Sequence, residues 1–188
     1  MVWYIGDPKI SKAIKNLDAE LERNSDRAVG ILAGSIVETY LTSFLKGATR
    51  HRGSMWQDRT HPSGPLGSFA VKIDLLYMFG LISDEAHADL VIVKDIRNKF
   101  AHDLETEDFS TRSICDKCDA LRLVESYVIG GGSLSEREIL NLAGVRTFRI
   151  GGKGALEELK TPRLRYVWTA RVFSMAFGMH RHSKGVAI

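Results

Sequence analysis

The stretch "SDRAVGILAGSIVETYLTSFL", residues 25–45, has the sequence pattern of a helix at the centre of a bundle. Ser25 is a residue type that caps helix N-termini, and apolar residues then recur at the three- and four-residue spacing of an α-helix. One face carries Val29, Leu32, Ile36, Tyr40 and Phe44, and adjoining positions add Ile31, Val37, Leu41 and Leu45. Because apolar residues cover so much of the circumference, the pattern predicts a central helix that other helices bury on several sides.

Glu38 interrupts this apolar run. A buried carboxylate without a partner costs free energy, so Glu38 needs either a cation or contact with water. The best-placed cation is Arg97, on a second amphipathic helix whose buried side carries Leu90, Val93, Ile96 and Phe100. We therefore predict one polar cluster that contains Glu38, Arg97, Asn98 and His102.

Helical patterns recur along the rest of the chain, and strand patterns are rare. Helices are predicted from Pro8 to about residue 23, at about 68–79 with Gly80 as the stop, after the Ser83 cap, at 111–128 and at 162–179. Leu75 and Leu76 of the helix at 68–79 are predicted to lie in the core with the apolar faces named above. Residues 47–67 read as a loop. Residues 129–160 form a glycine-rich insertion with a short helix at 134–144 and an ambiguous segment that allows a short strand. The predicted fold class is all-α: a single helical bundle over residues 1–188, with about five principal helices and this small insertion.

Composition excludes few functions. The chain has 188 residues, of which 44% are apolar and 26% charged, and a net charge of +3. Basic runs at 46–61 and after Arg163 are interpreted as solvated, since such runs usually are. The window predicted to be the most apolar, residues 166–179, is too short to span a bilayer and contains Arg171. No secretory signal pattern is visible, so the prediction is a cytoplasmic protein without membrane contact.

Metal and cofactor chemistry find little support in the sequence. Cys115 and Cys118 form the only CxxC pair, and no second cysteine pair completes a zinc site. Their spacing on a predicted helix indicates a reduced, half-buried pair. The glycines of "GGKG", residues 151–154, lack the Ser or Thr that follows the lysine of a phosphate-binding loop. We predict no metal and no cofactor.

The stretch "VKDIRNKFAHDLE", residues 93–105, leaves two functions open. On a helix, Asn98 and His102 share a face, whereas Arg97 and His102 are about 140° apart. If the helix loosens at His102, a phosphate-binding guanidinium and a proton-transferring imidazole converge, which is a minimal site for metal-free RNA cleavage. If it does not, His102 bonds the terminal carbonyls and Arg97 neutralises Glu38.

Three stretches resemble a known family. They are "NSDRAVGILAGSIVETYLTSFL", "GPLGSFAVKIDLLYMFGLISDEAHADLVIVKDIRNKFAHDL" and "FSTRSICDKCDAL", which together span about residues 24–123. They resemble the mannitol operon repressor (MltR-like) family. The resemblance implies a small, soluble, bacterial all-α protein that represses transcription. The family has no evident DNA-reading module, which implies action through a protein partner, for example a transcription factor.

The segment "RNKFAH", residues 97–102, also resembles the Arg–polar–(three residues)–His signature of the HEPN superfamily. Many HEPN proteins are dimeric, metal-independent ribonucleases of toxin and defence systems. This second resemblance implies catalytic roles for Arg97, Asn98 and His102.

The preferred expectation is a transcriptional regulator of the repressor type that acts through protein contacts and has no sequence-specific DNA affinity of its own. The alternative is a HEPN-type endoribonuclease with RNA as substrate, so whether the protein is an enzyme stays open. A homodimer is a candidate assembly, and the oligomeric state stays open; dimerisation through the face of the polar cluster would favour the nuclease. Candidate binding residues are Glu38, Arg50, Arg52 and Arg59.

Overall fold

The computed structural model describes residues 8–23, 25–49, 53–104, 108–130, 150–152 and 154–180. Within these ranges the chain forms nine helices and one pair of short strands. The elements, in chain order, are α1 Pro8–Arg23, α2 Asp26–Ala48, α3 Ser54–Thr60, α4 Phe69–Met78, α5 Asp84–His102, α6 Arg112–Asp119, α7 Leu123–Tyr127, β1 Val128–Gly130, β2 Ile150–Gly152, α8 Ala155–Glu158 and α9 Pro162–His180. The predicted all-α bundle is therefore confirmed.

Helix α2 lies at the centre of the bundle, where it contacts α1, α4, α5 and α9. Most of the predicted core is buried: Val29, Ile36, Tyr40, Leu76, Leu90, Val93, Ile96 and Phe100. The prediction was wrong for Leu32 and Leu75, which are only partly buried and pack against the edge of the core. The wide apolar circumference of α2 thus has the predicted cause, since helices cover it on several sides.

Local capping signals place several helix ends. The Ser68 hydroxyl accepts the N–H of Val71 at 3.2 Å, and the Ser83 hydroxyl accepts the N–H of Ala86 at 3.2 Å. Gly80 follows α4 with a φ of 65°, a left-handed conformation that favours glycine. Ser25 occupies the N-cap position of α2, but its side chain makes no capping hydrogen bond.

Two predicted segments differ from the structure. Helix α3 lies inside the predicted loop 47–67, where the buried Trp56 anchors it to the core. The predicted helix 111–128 is broken into α6 and α7, and its last residue begins β1. The break has a distant cause, because a carboxylate from α5 bonds the first N–H groups of α7, as described below.

The strands β1 and β2 pair in parallel, with Val128 opposite Ile150 and Gly130 opposite Gly152. The ambiguous segment of the insertion therefore does contain a short strand, although its partner β1 was not predicted. The insertion also contributes α8. Residues 131–149, including the predicted short helix at 134–144, lie outside the described residues.

Helix α9 carries a buried arginine in its apolar sequence. Arg171 is 1% exposed, and its guanidinium carbon lies 4.6 Å from the centre of the Trp168 ring. Burial lowers the pKa of Arg171 to about 10, while the charges of Asp18 and Glu158 oppose that shift. The guanidinium therefore stays charged at neutral pH and is stabilised by the aromatic face and nearby carboxylates.

One described helix, α2, is long and apolar enough to cross a membrane by length and composition. Its mean hydropathy over the most apolar window is 1.5, but 56% of that window is buried inside the protein. Because α1, α4, α5 and α9 cover it, α2 has the burial expected of a core helix.

Candidate functional site

The predicted polar cluster lies where α2 crosses α5, and two glycines set the close approach of these helices. A Cβ atom on Gly30 would lie 2.1 Å from the Phe100 ring, and one on Gly34 would lie 2.6 Å from the Arg97 Cβ. The missing side chains therefore provide the space that Phe100 and the stem of Arg97 fill. The Tyr166 hydroxyl on α9 donates to the Gly30 carbonyl at 3.0 Å and adds a third helix to the contact.

One turn after Gly34, Glu38 joins three helices through its carboxylate. Its Oε2 lies 3.0 Å from Arg97 Nη2 on α5, and its Oε1 lies 3.2 Å from Lys72 Nζ on α4. The other end of the guanidinium, Arg97 Nη1, donates to Asn98 Oδ1 at 2.8 Å. We call Glu38, Lys72, Arg97 and Asn98 the ion cluster.

The ion cluster is largely removed from water. Side-chain exposure is 7% for Lys72, 19% for Glu38 and 27% for Arg97. In such an environment each charge depends on its partner, because an uncompensated buried charge is strongly destabilising. One carboxylate serves two cations, so Glu38 is the member on which the other charges depend. The arrangement ties α2, α4 and α5 together.

His102 does not join the ion cluster. Helix α5 remains regular through His102, and the N–H of Asp103 still bonds the Lys99 carbonyl at 2.9 Å. The helix therefore does not loosen, and Arg97 and His102 leave it about 140° apart. His102 is exposed, and among the described residues no hydrogen bond joins it to Arg97. Including His102 in the predicted cluster was wrong.

Lys72 is the member that sequence reasoning missed. A signal for it existed, because the buried positions of α4 are Phe69, Lys72, Ile73 and Leu76, and a lysine therefore interrupts an apolar stripe. A cation on a buried stripe requires a carboxylate nearby, as a buried carboxylate requires a cation. Glu38 and Lys72 are the two charged residues that interrupt the apolar faces of α2 and α4, and they meet.

The predicted basic binding residues are placed only in part. Arg59 is exposed on α3. Arg50 and Arg52 lie outside the described residues. Their role in binding, like that of Glu38, stays a prediction.

Asp89 is a second buried acid, and the sequence analysis did not single it out. It is 1% exposed, and its carboxylate accepts the N–H of Leu123 at 2.8 Å and that of Arg122 at 3.1 Å. It thus supplies from α5 the N-terminal cap of α7. Burial raises the pKa of Asp89, although the hydrogen bonds from Leu123 and Arg122 act in the opposite direction.

The two cysteines are both free, with Cys115 half-buried and Cys118 buried. Burial is the first cause of a raised pKa for both thiols. A raised pKa leaves little thiolate, the form that reacts and binds metals. In the described part of the chain, no group of three or more His, Cys, Asp or Glu side chains could hold a metal ion.

An open depression of about 520 Å³ lies beside α7, α8 and α9, with Asp119, Arg122, Glu125, Leu156, Leu159, Lys160 and Arg165 as its lining. The cations of this lining lie against carboxylates. Arg165 donates to the Leu121 carbonyl and the Glu125 carboxylate, Arg122 lies 4.0 Å from Glu125, and Lys160 lies 2.7 Å from Glu157. These pairings occupy the positive charges that an anionic ligand would need.

The protein is an all-α helical bundle, and the buried polar side chains of its ion cluster link helices α2, α4 and α5. Comparison with known proteins shows which proteins this bundle is similar to. A family model described as mannitol repressor, MtlR, matches residues 60–137. No curated protein matches this chain.

A solved structure, the X-ray structure of the MtlR–HPr complex from Escherichia coli, has the same fold. It matches with a TM-score of 0.58 and 16% sequence identity, over 90% of this chain and 98% of that one. The chain is thus similar to the mannitol repressor family, called MltR-like above, over residues 60–137, and it shares the fold of the Escherichia coli protein.

Proposed function

We propose that this protein is a bacterial, cytoplasmic transcriptional regulator of the mannitol repressor type, which acts through a protein partner rather than by reading DNA. The family model supports the regulator role. The Escherichia coli structure supports the mode of action, because that MtlR was solved in complex with the protein HPr. We propose HPr, or a protein like it, as a partner of this chain. We also propose that the protein contacts a transcription factor and that it forms a homodimer.

The hydrogen bonds and ion pair of Arg97 are the observation that favours the regulator over the ribonuclease. Its guanidinium is bonded to Glu38 and Asn98, and its stem fills the space above Gly34. A phosphate would have to compete with a carboxylate 3.0 Å away for the same cation. His102, the proton-transfer group of the alternative, leaves α5 on a different side. These contacts favour a structural role for the cluster.

The first experiment tests the partner. Purified full-length protein is titrated with purified HPr in a calorimeter, and the complex is checked by size-exclusion chromatography. We expect a stoichiometric complex. In a parallel gel-shift assay at physiological salt, the protein alone should show only weak, salt-sensitive DNA binding. Nanomolar selection of one DNA sequence by the protein alone would contradict the proposed mode of action.

The second experiment tests the ribonuclease alternative. The protein is incubated with RNA with and without chelator, beside a His102→Ala variant purified in the same way. We expect no cleavage above the background that both proteins share. Metal-independent cleavage by the unsubstituted protein that His102→Ala abolishes would establish the alternative, since an exposed histidine can be removed without unfolding the bundle.

A further inference from the structure

Three consecutive apolar side chains at the end of α4 face solvent. Tyr77 is 41% exposed, Met78 is 76% exposed and Phe79 is 63% exposed. We call these three residues the α4 tip. The core does not need them, because α4 already buries Phe69, Lys72, Ile73 and Leu76. Tyrosine, phenylalanine and methionine are enriched at protein interfaces, and a contiguous exposed apolar patch marks an interaction site.

The α4 tip is held in place by its surroundings. The N–H of Gly80 bonds the Tyr77 carbonyl at 2.9 Å, and the N–H of Leu81 bonds the Leu76 carbonyl at 2.9 Å, which fixes the turn after the helix. The Tyr77 ring lies 4.5 Å from the ring of His87 on α5. Because α4 and α5 hold these side chains in place, binding of a partner costs little conformational entropy on this side of the interface.

The rim of the α4 tip is acidic. Asp74 lies one turn before the tip with a side chain 59% exposed and its carboxylate 3.0 Å from His87 Nε2, and Asp84 lies near enough to raise the pKa of Tyr77. Between residues 73 and 93 the exposed charged side chains are Asp74, Asp84 and Glu85, and the sequence there has no Lys or Arg, although the whole chain has a net charge of +3. The exposed charges of this segment are therefore opposite in sign to the net charge of the protein.

We infer that the α4 tip is the docking surface for the partner protein, and that the opposing face of the partner has an apolar centre with lysine or arginine around it. This inference rests on the proposed function. The charge around the α4 tip distinguishes the partners that could bind it. A second copy bound through the same patch would place acidic rims against each other, and anionic lipid or nucleic acid would be repelled. A basic-rimmed protein surface would be attracted.

The test measures HPr binding by calorimetry with the full chain and with a Met78→Ser/Phe79→Ser double variant. We expect the dissociation constant to rise about 100-fold, because exposed aromatic and methionine anchors carry much of an interface's affinity. Both side chains are exposed, so the melting temperature should not change. The matched control is Leu104→Ser. Leu104 is 87% exposed and follows the C-terminal end of α5, whereas the tip contacts His87 near its N-terminal end, with about 22 Å of helix between residues 87 and 102. Its substitution should leave the dissociation constant unchanged.

A charge variant tests the rim separately. Asp74→Asn should weaken binding about threefold at low salt, and the difference should shrink at high salt because exposed charges are screened. If the full chain binds HPr and the double variant binds equally well, the inference is overturned and the proposed function stands. If the full chain does not bind HPr, both are overturned. If the double substitution abolishes self-association and leaves HPr binding intact, the tip joins two copies and the inference is also overturned.

Discussion

Replacing Glu38 by glutamine should destabilise the bundle far more than the geometry of one ion pair suggests. The substitution keeps the shape and removes the charge on which Lys72 and Arg97 both depend. Breaking a buried pair costs about 3–5 kcal/mol, and the 19% and 27% exposure of Glu38 and Arg97 reduces this to about 2–3 kcal/mol. For a chain of this length, the melting temperature should fall by about 6–9 °C.

The matched control is Glu157→Gln. Glu157 and Lys160 are closer, at 2.7 Å, but their side chains are 73% and 70% exposed. Exposed pairs contribute about 0–1 kcal/mol, so this variant should unfold almost as the unsubstituted protein does. Urea unfolding followed by circular dichroism gives both free energies. A second substitution, Lys72→Met in the Glu38→Gln background, should restore part of the loss, because it removes a stranded cation.

The reasoning is refuted if Glu38→Gln costs no more than Glu157→Gln. It is also refuted if Lys72→Met adds its full cost to that of Glu38→Gln, since independent sites are additive and coupled ones are not.

Three further predictions concern other parts of the bundle. Gly34→Ala should destabilise by about 1–3 kcal/mol in thermal unfolding, because its Cβ would lie 2.6 Å from a side chain of α5. Gly47→Ala in the same helix meets nothing within 4 Å and should stabilise by up to about 1 kcal/mol; equal effects would refute the close-approach argument. Asp89 has a raised pKa in the folded protein, so its contribution to stability is fully present below the unfolded pKa and is lost as pH rises through the folded one. Relative to Asp89→Asn, the unsubstituted protein should therefore lose stability as pH rises from the ordinary carboxyl range. If the free energies of unfolding of the two proteins change with pH in the same way, this expectation is contradicted. Iodoacetamide should label Cys115 slowly and Cys118 only after unfolding, as mass spectrometry would show; rapid labelling of Cys118 in the folded protein would contradict its burial.

Sequence reasoning succeeded where the cause of a structure is local. The ends of α4 and α5 follow from the Ser68 and Ser83 caps and from Gly80, each a few residues from what it determines. The pairing of Glu38 with Arg97 was predictable because both interrupt helical patterns and a buried charge needs a partner. The same rule applied to Lys72 would have completed the ion cluster.

Sequence reasoning failed where the cause is distant. The break between α6 and α7 depends on Asp89, 33 and 34 residues before the N–H groups that it accepts. Strand β1 continues a helical pattern in sequence and becomes a strand by pairing with β2, 22 residues later. The exposure of His102 followed from α5 staying regular to its end, which composition alone does not decide.

The spacing of Gly30, Gly34 and Glu38 along α2 has a mechanical consequence. The first two positions face Phe100 and Arg97, and the third holds the Arg97 guanidinium, so the two helices run antiparallel in a single register. A slide of α5 by one turn, about 5.4 Å, would move the Phe100 ring away from Gly30 and separate the Arg97 guanidinium from Glu38. These contacts therefore oppose sliding of α5 along α2. We expect a movement induced by a bound protein to shift α2 and α5 together.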